Sequence, residues 1–166
     1  MRKLITMGLI AILVSTAHAQ DNIPRKKTIF SLGVEAGLPE GSQGIGGDYY
    51  LAIGASLQVE HVISPDFGLT LKAGYLLYVG KLFAADNEDM VPFLAGFKYR
   101  FTPKVYGSGQ VGISLSTVGG RGNAFTYAPG IGFLLSPHAD ILARYEAASK
   151  NGRRIGNLGI RMAYNF

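Results

Sequence analysis

The chain contains no cysteine in its 166 residues, so disulfide staples and thiolate metal sites are both excluded. Long apolar runs are also missing. The one near the N-terminus, Leu4 to Val14, has 11 residues, against the roughly 20 that a helix needs to cross a bilayer. No later segment offers even 18 uninterrupted apolar residues, which excludes a transmembrane helix from the mature chain. Charge is sparse as well, at 16% of residues, and mean hydropathy is positive, which excludes a disordered polar segment. The sustained 3.6-residue periodicity of a helical bundle is absent. The formal net charge of +5 includes Arg2 and Lys3 and is thinly spread, so nothing argues for a nucleic-acid partner.

What is present begins with a leader. Arg2 and Lys3 precede the apolar run, and small and polar residues lead to Ala17-His18-Ala19, the pattern of a secretory signal peptide cleaved after Ala19. The expected organisation is a signal peptide over residues 1–19, a short periplasmic tail over 20–27 and a β-barrel over 28–166. Arg25-Lys26-Lys27 closes the tail as a solvated basic run.

The mature chain is rich in glycine (23) and in tyrosine and phenylalanine (nine each), and it repeats one punctuation mark. Ile63-Ser64-Pro65, Phe101-Thr102-Pro103 and Leu135-Ser136-Pro137 each separate two alternating runs. Proline lacks the donor that a sheet ladder needs and presets a turn, so each Ser/Thr-Pro marks a tight reversal. Between these reversals lie longer polar or Gly-rich stretches, at 39–48, 80–90, 117–123 and 149–155. The strands so delimited are 28–38, 49–62, 68–79, 91–101, 105–116, 124–135, 139–148 and 156–166. At about 3.3 Å per residue and a tilt near 40°, ten residues rise roughly 25 Å, the height of an outer-membrane barrel's apolar band.

Side chains alternate across a strand, and in each of these strands one face is apolar. The last strand sets Leu158, Ile160, Met162, Tyr164 and Phe166 outward; the seventh sets out Ile141, Ala143, Tyr145 and Ala147. Strand five is the poorest, with outward Gly107 and Gly109, and Pro129 in strand six calls for a bulge. Aromatic girdles are expected at both ends. Phe67, Tyr99, Phe101, Phe133, Tyr164 and Phe166 ring the turn end; Tyr49, Tyr75, Phe93, Phe125 and Tyr127 ring the loop end.

The opposite faces hold Glu35, Glu60, Lys72, Lys98, Arg100, Asp140, Arg144, Glu146 and Arg161. An eight-stranded barrel is just wide enough for side chains to fill, so these groups should interlock as ion pairs instead of lining a channel. Pairing strands two and three about Asp66 sets Glu60 opposite Lys72, and closing the last strand on the first brings Arg161 to Glu35. Inward Gly54, Gly74, Gly96, Gly112, Gly130 and Gly132 leave room for long neighbours.

The leader, eight amphipathic strands, Pro-marked turns, charged interior and terminal Phe166 resemble the small eight-stranded outer-membrane barrels, of the OmpA/OmpX transmembrane type and related single-domain barrels. The resemblance covers residues 28–166. It implies that Tyr164 and Phe166 belong to the signal read by the barrel-assembly machinery. It also implies that periplasmic chaperones escort the chain and that a monomer sits in outer-membrane lipid and lipopolysaccharide. The chain stops at Phe166, so the peptidoglycan-binding domain of some relatives is not expected.

No catalytic constellation and no cofactor site stands out, and an enzyme is not expected. Some barrels of this resemblance modify lipid A with a His/Ser or His/Asp/Ser set. His61 with Ser64 and His138 with Asp140 are the available pairs, but both fall at the turn end, away from the outer leaflet. Asp86-Asn87-Glu88-Asp89 lacks the spacing of a calcium loop and reads as solvated. Lys150, Arg153 and Arg154 could meet lipopolysaccharide phosphates or stay in water. Residues 41–47 are Gly-rich but lack the Gly-Lys-Ser/Thr of a phosphate loop. A structural, envelope-integrity barrel is the expected role, with a loop-based binding protein or a narrow pore as alternatives. The architectural rival is a soluble lipocalin-like barrel, in which every side chain is inverted and Leu158 and Phe97 are buried instead of Arg161 and Lys72.

Overall fold

In a computed structural model, which describes residues 28–41, 49–80, 88–116, 123–150 and 152–166, the alternating runs form eight antiparallel strands. They are β1 (Thr28–Gly41), β2 (Tyr49–Val62), β3 (Phe67–Gly80), β4 (Glu88–Arg100), β5 (Val105–Ser116), β6 (Asn123–Ser136), β7 (Ala139–Lys150) and β8 (Arg153–Asn165). Each pairs with its sequence neighbours and β1 pairs with β8, so the sheet closes as an up-and-down barrel. The expected leader and tail fall outside the described residues.

The register fixes the barrel's shape. From Ser31 the paired residues run through Gln58, Lys72, Leu94, Gly112, Thr126, Ala148 and Ile155 and return to β1 at Gly41, ten residues further on. Ten residues of stagger over eight strands corresponds to a tilt of about 40°. Each row of paired residues therefore climbs as it circles the barrel.

The Ser/Thr-Pro reversals work through their hydroxyls. Phe67 N–H donates to Ser64 Oγ at 3.1 Å, Val105 N–H to Thr102 Oγ1 at 2.9 Å and His138 N–H to Ser136 Oγ at 3.2 Å. Each oxygen satisfies a donor across a turn in which proline supplies none. The fourth loop-end connection is not long. β7 and β8 extend to Lys150↔Arg153, leaving two residues between them, with Gly152 at φ 76°. Asn-Gly at 151–152 is the favoured pair for a two-residue hairpin, because such turns need positive φ.

Pro129 causes no bulge. The β6–β7 register is the same on both sides of it, at Tyr127↔Ala147 and Gly130↔Arg144, and the only shift lies at Leu134/Ser136. Pro92 in β4 behaves likewise, between Ala73↔Phe93 and Leu76↔Met90. Each proline interrupts the ladder locally and leaves the flanking pairs to hold the register.

Strand five compensates for its glycines through its neighbour. A Cβ on Gly109 would lie 3.1 Å from the Phe97 ring, and one on Gly107 would lie 3.0 Å from the Phe101 ring. Phe97 is the register partner of Gly109 and so lies across it, covering backbone that has no side chain of its own. Phe133 is about as exposed (41% against 47%) but faces Val105 and Ile141. Phe97→Ala is therefore expected to lower stability by about 1 kcal/mol more than Phe133→Ala, read from urea unfolding in vesicles.

Candidate functional site: the filled lumen

Period-two alternation sends every second residue into the lumen, and the register stacks these residues in layers. The middle layer centres on Glu35 of β1. Ser56 Oγ donates to it at 2.5 Å, Lys72 Nζ lies 3.2 Å away, Arg144 Nη2 binds it, and its β8 register partner Arg161 lies 3.8 Å away. Glu146 adds a second acid, 3.2 Å from Lys72 and 2.6 Å from Arg144. Arg161, only 1% exposed, also donates to Ser56 Oγ (2.9 Å) and Ser31 Oγ (3.0 Å). A Cβ on Gly33 would approach the Arg161 guanidinium to 2.7 Å, so the missing side chain makes its room.

The turn-end layer holds two smaller sets. Glu60 binds Lys98 (3.0 Å) and Arg100, and the Lys98 ammonium lies 4.1 Å from the centroid of the Tyr106 ring. Tyr106 OH donates to Asp140 at 2.7 Å, and Asn165 Nδ2 to the same carboxylate at 2.9 Å. Glu60 does not meet Lys72. The β2–β3 register centres on Pro65, pairing Gln58 with Lys72 and Glu60 with Thr70. A centre shifted by one residue moves each partner by two.

The loop-end layer is apolar. Tyr49, Ala52, Leu76, Tyr78, Met90, Ala124, Ala148 and Ile155 form one buried cluster, with Tyr49 and Tyr78 edge to face at 5.9 Å. Above it Tyr49 OH (3.0 Å) and Ser116 Oγ (3.2 Å) donate to Glu88. Tyr49 thus leaves the expected loop-end girdle. A register shift between Tyr49 and Leu51 turns it inward, and Tyr50, 54% exposed, faces out. Glu88 and Asp89 belong to β4 and not to a solvated loop, while Asp86 and Asn87 lie outside the described residues. Sequence reasoning missed Glu88 as an interior acid, although Glu88, Met90, Pro92 and Leu94 keep strict alternation.

All nine interior charges named from the sequence point into the lumen, eight of them buried and Arg100 half-buried. Among the described residues, Glu88 joins Glu35, Glu60, Asp140 and Glu146 as inward acids opposite Lys72, Lys98, Arg100, Arg144 and Arg161, and half-buried Lys150 continues the same face of β7 at the loop end. The candidate catalytic pairs are not assembled. Ser64 Oγ caps its own turn, and Asp140 is engaged by Tyr106 and Asn165. His61 Nδ1 lies 3.1 Å from Thr28 Oγ1, and His138 Nδ1 lies 3.1 Å from Asn165 O while its ring stacks on Tyr164.

The outer face is the reverse of the lumen. Leu57, Leu71 and Leu158 are exposed by 59–64%, and Phe166 by 69%. Among the described residues the exposed charges are Glu40, Asp66, Lys104 and Arg154, all at strand ends or in turns. Ala147 departs from the expected pattern: it keeps the outward register but is fully buried, with Tyr127 directly opposite and Tyr145 two residues before it. An apolar surface this continuous belongs in hydrocarbon. Arg161 and Lys72 are buried while Leu158 and Phe97 are exposed, which removes the lipocalin-like alternative.

Solved structures agree. The attachment invasion locus protein Ail of Yersinia pestis superposes with a TM-score of 0.60 at 17% identity, over 84% of this chain and 97% of that one. The N-terminal barrel of Pseudomonas aeruginosa OprF gives 0.55 at 12%, over 82% and 97%. Neisserial surface protein A gives 0.51 at 16%, over 84% and 99%. The fold is that of the small eight-stranded outer-membrane barrels. Together with the apolar exterior it supports an outer-membrane location for this barrel. No protein-family model and no curated protein matches the sequence.

Proposed function

We propose that this outer-membrane barrel serves envelope integrity as a closed, non-conducting and non-enzymatic element. The observation that carries this reading is the stacking of an apolar plug over an ion-paired polar layer, both built from buried side chains facing the bore. An ion entering the lumen would have to leave water for a layer whose acids are already paired with buried bases, and then pass the Tyr49–Tyr78 cluster. The loop end favours little surface recognition, because β1, β2, β3 and β4 run to Gly41, Tyr49, Gly80 and Glu88 and leave only residues 42–48 and 81–87 between them. Lipid surrounds the monomer. Lipopolysaccharide phosphates meet the basic β7–β8 hairpin, and Tyr164 and Phe166 present the outward aromatic edge that the assembly machinery and chaperones read.

Planar-bilayer recordings on the purified barrel test the reading. We expect no discrete openings, and we expect a strain lacking the chain to admit a large antibiotic that the intact envelope excludes. Regular single-channel steps would replace this proposal with a narrow pore. Loss of partner binding on loop exchange, with the envelope otherwise sound, would replace it with a surface-binding role.

A further inference from the structure

Inside the lumen two buried polar atoms, Arg144 Nη1 and Asn157 Oδ1, have no hydrogen-bond partner among the described residues. Both residues are only 4% exposed. Arg100 Nη1 is also without a partner, but Arg100 stands at the turn-end rim with 15% of its side chain exposed. The register sets Arg144 and Asn157 side by side. Arg144 pairs with Gly159 and Glu146 with Asn157, so Asn157 is the next inward residue of β8 toward the loop end. Arg144 Nη2 lies 2.6 Å from Glu146, which ties the guanidinium to the carboxylate opposite Asn157. The β1 partner of Gly159 is Gly37, and Asn157 Oδ1 lies where a Gly37 side chain would begin. Two paired glycines thus leave the wall beside Arg144 and Asn157 without side chains. One step further toward the loop end, Ala148 and its partner Ile155 belong to the apolar plug and close the space from that side.

We infer that one buried water binds here, accepting from Arg144 Nη1, donating to Asn157 Oδ1 and turning its second proton to the Glu146 carboxylate. A buried donor and a buried acceptor each carry a desolvation penalty when unpaired. A water is both acceptor and donor, so a single molecule satisfies the two together. Buried waters typically make about three hydrogen bonds, and Arg144, Asn157 and Glu146 supply that number. Ions fit the same place poorly. An anion would face Glu146 and the Asn157 oxygen, and a cation would face Arg144 with Lys72 close behind Glu146. The water is part of the fold: it completes the ion-paired layer from beneath the apolar plug and opens no path for ions through it.

Nuclear Overhauser spectroscopy of the refolded barrel in detergent micelles tests the site, with water as the probe and the Gly159 α-protons as the reporter. The wild type is expected to show a water cross-peak there, with the sign of a water that tumbles with the protein. Asn157→Leu removes the acceptor and keeps Arg144, and should abolish that cross-peak in a barrel that still migrates as heat-modifiable. The same variant should lower the urea midpoint, because Arg144 Nη1 loses its remaining partner. Removing an acceptor that held no water would relieve a penalty instead, so an unchanged or raised midpoint overturns the inference. No cross-peak at Gly159 in the wild type also overturns it, and that spectrum decides the matter if Asn157→Leu does not fold. A cross-peak that survives in Asn157→Leu is relayed through exchanging Arg144 protons and counts against the site. So does an equal cross-peak at Gly54, which meets Leu76 of the apolar plug and would report general wetting of the bore.

Discussion

Glu35→Ala is expected to lower the unfolding free energy of the barrel by about 3–5 kcal/mol, the largest single effect we anticipate. Glu35 faces Lys72, Arg144 and Arg161 and accepts from Ser56, and its removal leaves Lys72 and Arg144 with Glu146, and Arg161 with Asp140, as the nearby acids. A buried charge without a partner cannot regain its hydration in a filled bore, so the penalty is that of the orphaned bases more than of the lost bonds. Glu35→Gln retains the shape and some acceptor capacity and should fall between wild type and alanine. Adding Arg144→Ala to Glu35→Ala should recover part of the loss, because the two sites share one network. Urea titration in lipid vesicles, following the fraction of heat-modifiable folded band, measures all three. Asp66→Ala, on an exposed turn, is the control and should stay within about 0.5 kcal/mol. A Glu35→Ala barrel as stable as wild type would mean that the middle layer is open to water.

Leu57→Arg should cost about 2–4 kcal/mol although Leu57 is already 63% exposed. On a soluble protein an exposed leucine accepts arginine with almost no change, because water solvates the new charge. Leu57 pairs with Leu32 and Ala73 in the middle of its strand, where the solvent is hydrocarbon. Depth is the discriminating variable. Ile63→Arg, at the turn and 48% exposed, should cost about 0–1 kcal/mol, since a charge there reaches the interface. Equal, near-zero effects at the two positions would contradict the membrane reading.

Much of the site could be read from the sequence because strand alternation is a local rule. Once Leu158 and Phe166 are outward, Arg161 must be inward, and the same step places Glu35, Lys72, Lys98 and Arg144. The Arg161–Glu35 approach was accessible too, since it requires only that the last strand close on the first. Particular elements escaped for identifiable reasons. The Asn-Gly pair at 151–152 carries a hairpin signal of its own, but it sits inside a polar, basic stretch that reads as a long loop. Glu88 was hidden by its acidic neighbours, and the strand continues through Pro92 because flanking pairs hold the ladder. The coverage of Gly109 by Phe97 joins two strands and has no local signature.

The sequence alone therefore determined which face of each strand meets lipid, how many strands there are and that the interior is charged, since all three follow from alternation and turn residues along one chain. Tertiary structure decided which acid meets which base. A one-residue difference in the β2–β3 turn centre gave Lys72 to Glu35 and Glu146 and left Glu60 to Lys98 and Arg100. It also decided that Tyr49 closes the lumen, through a register shift that no neighbouring residue announces. Both depend on register, which is set between strands by the closure of the whole sheet, and a ten-residue stagger is a property of the circle and not of any segment within it.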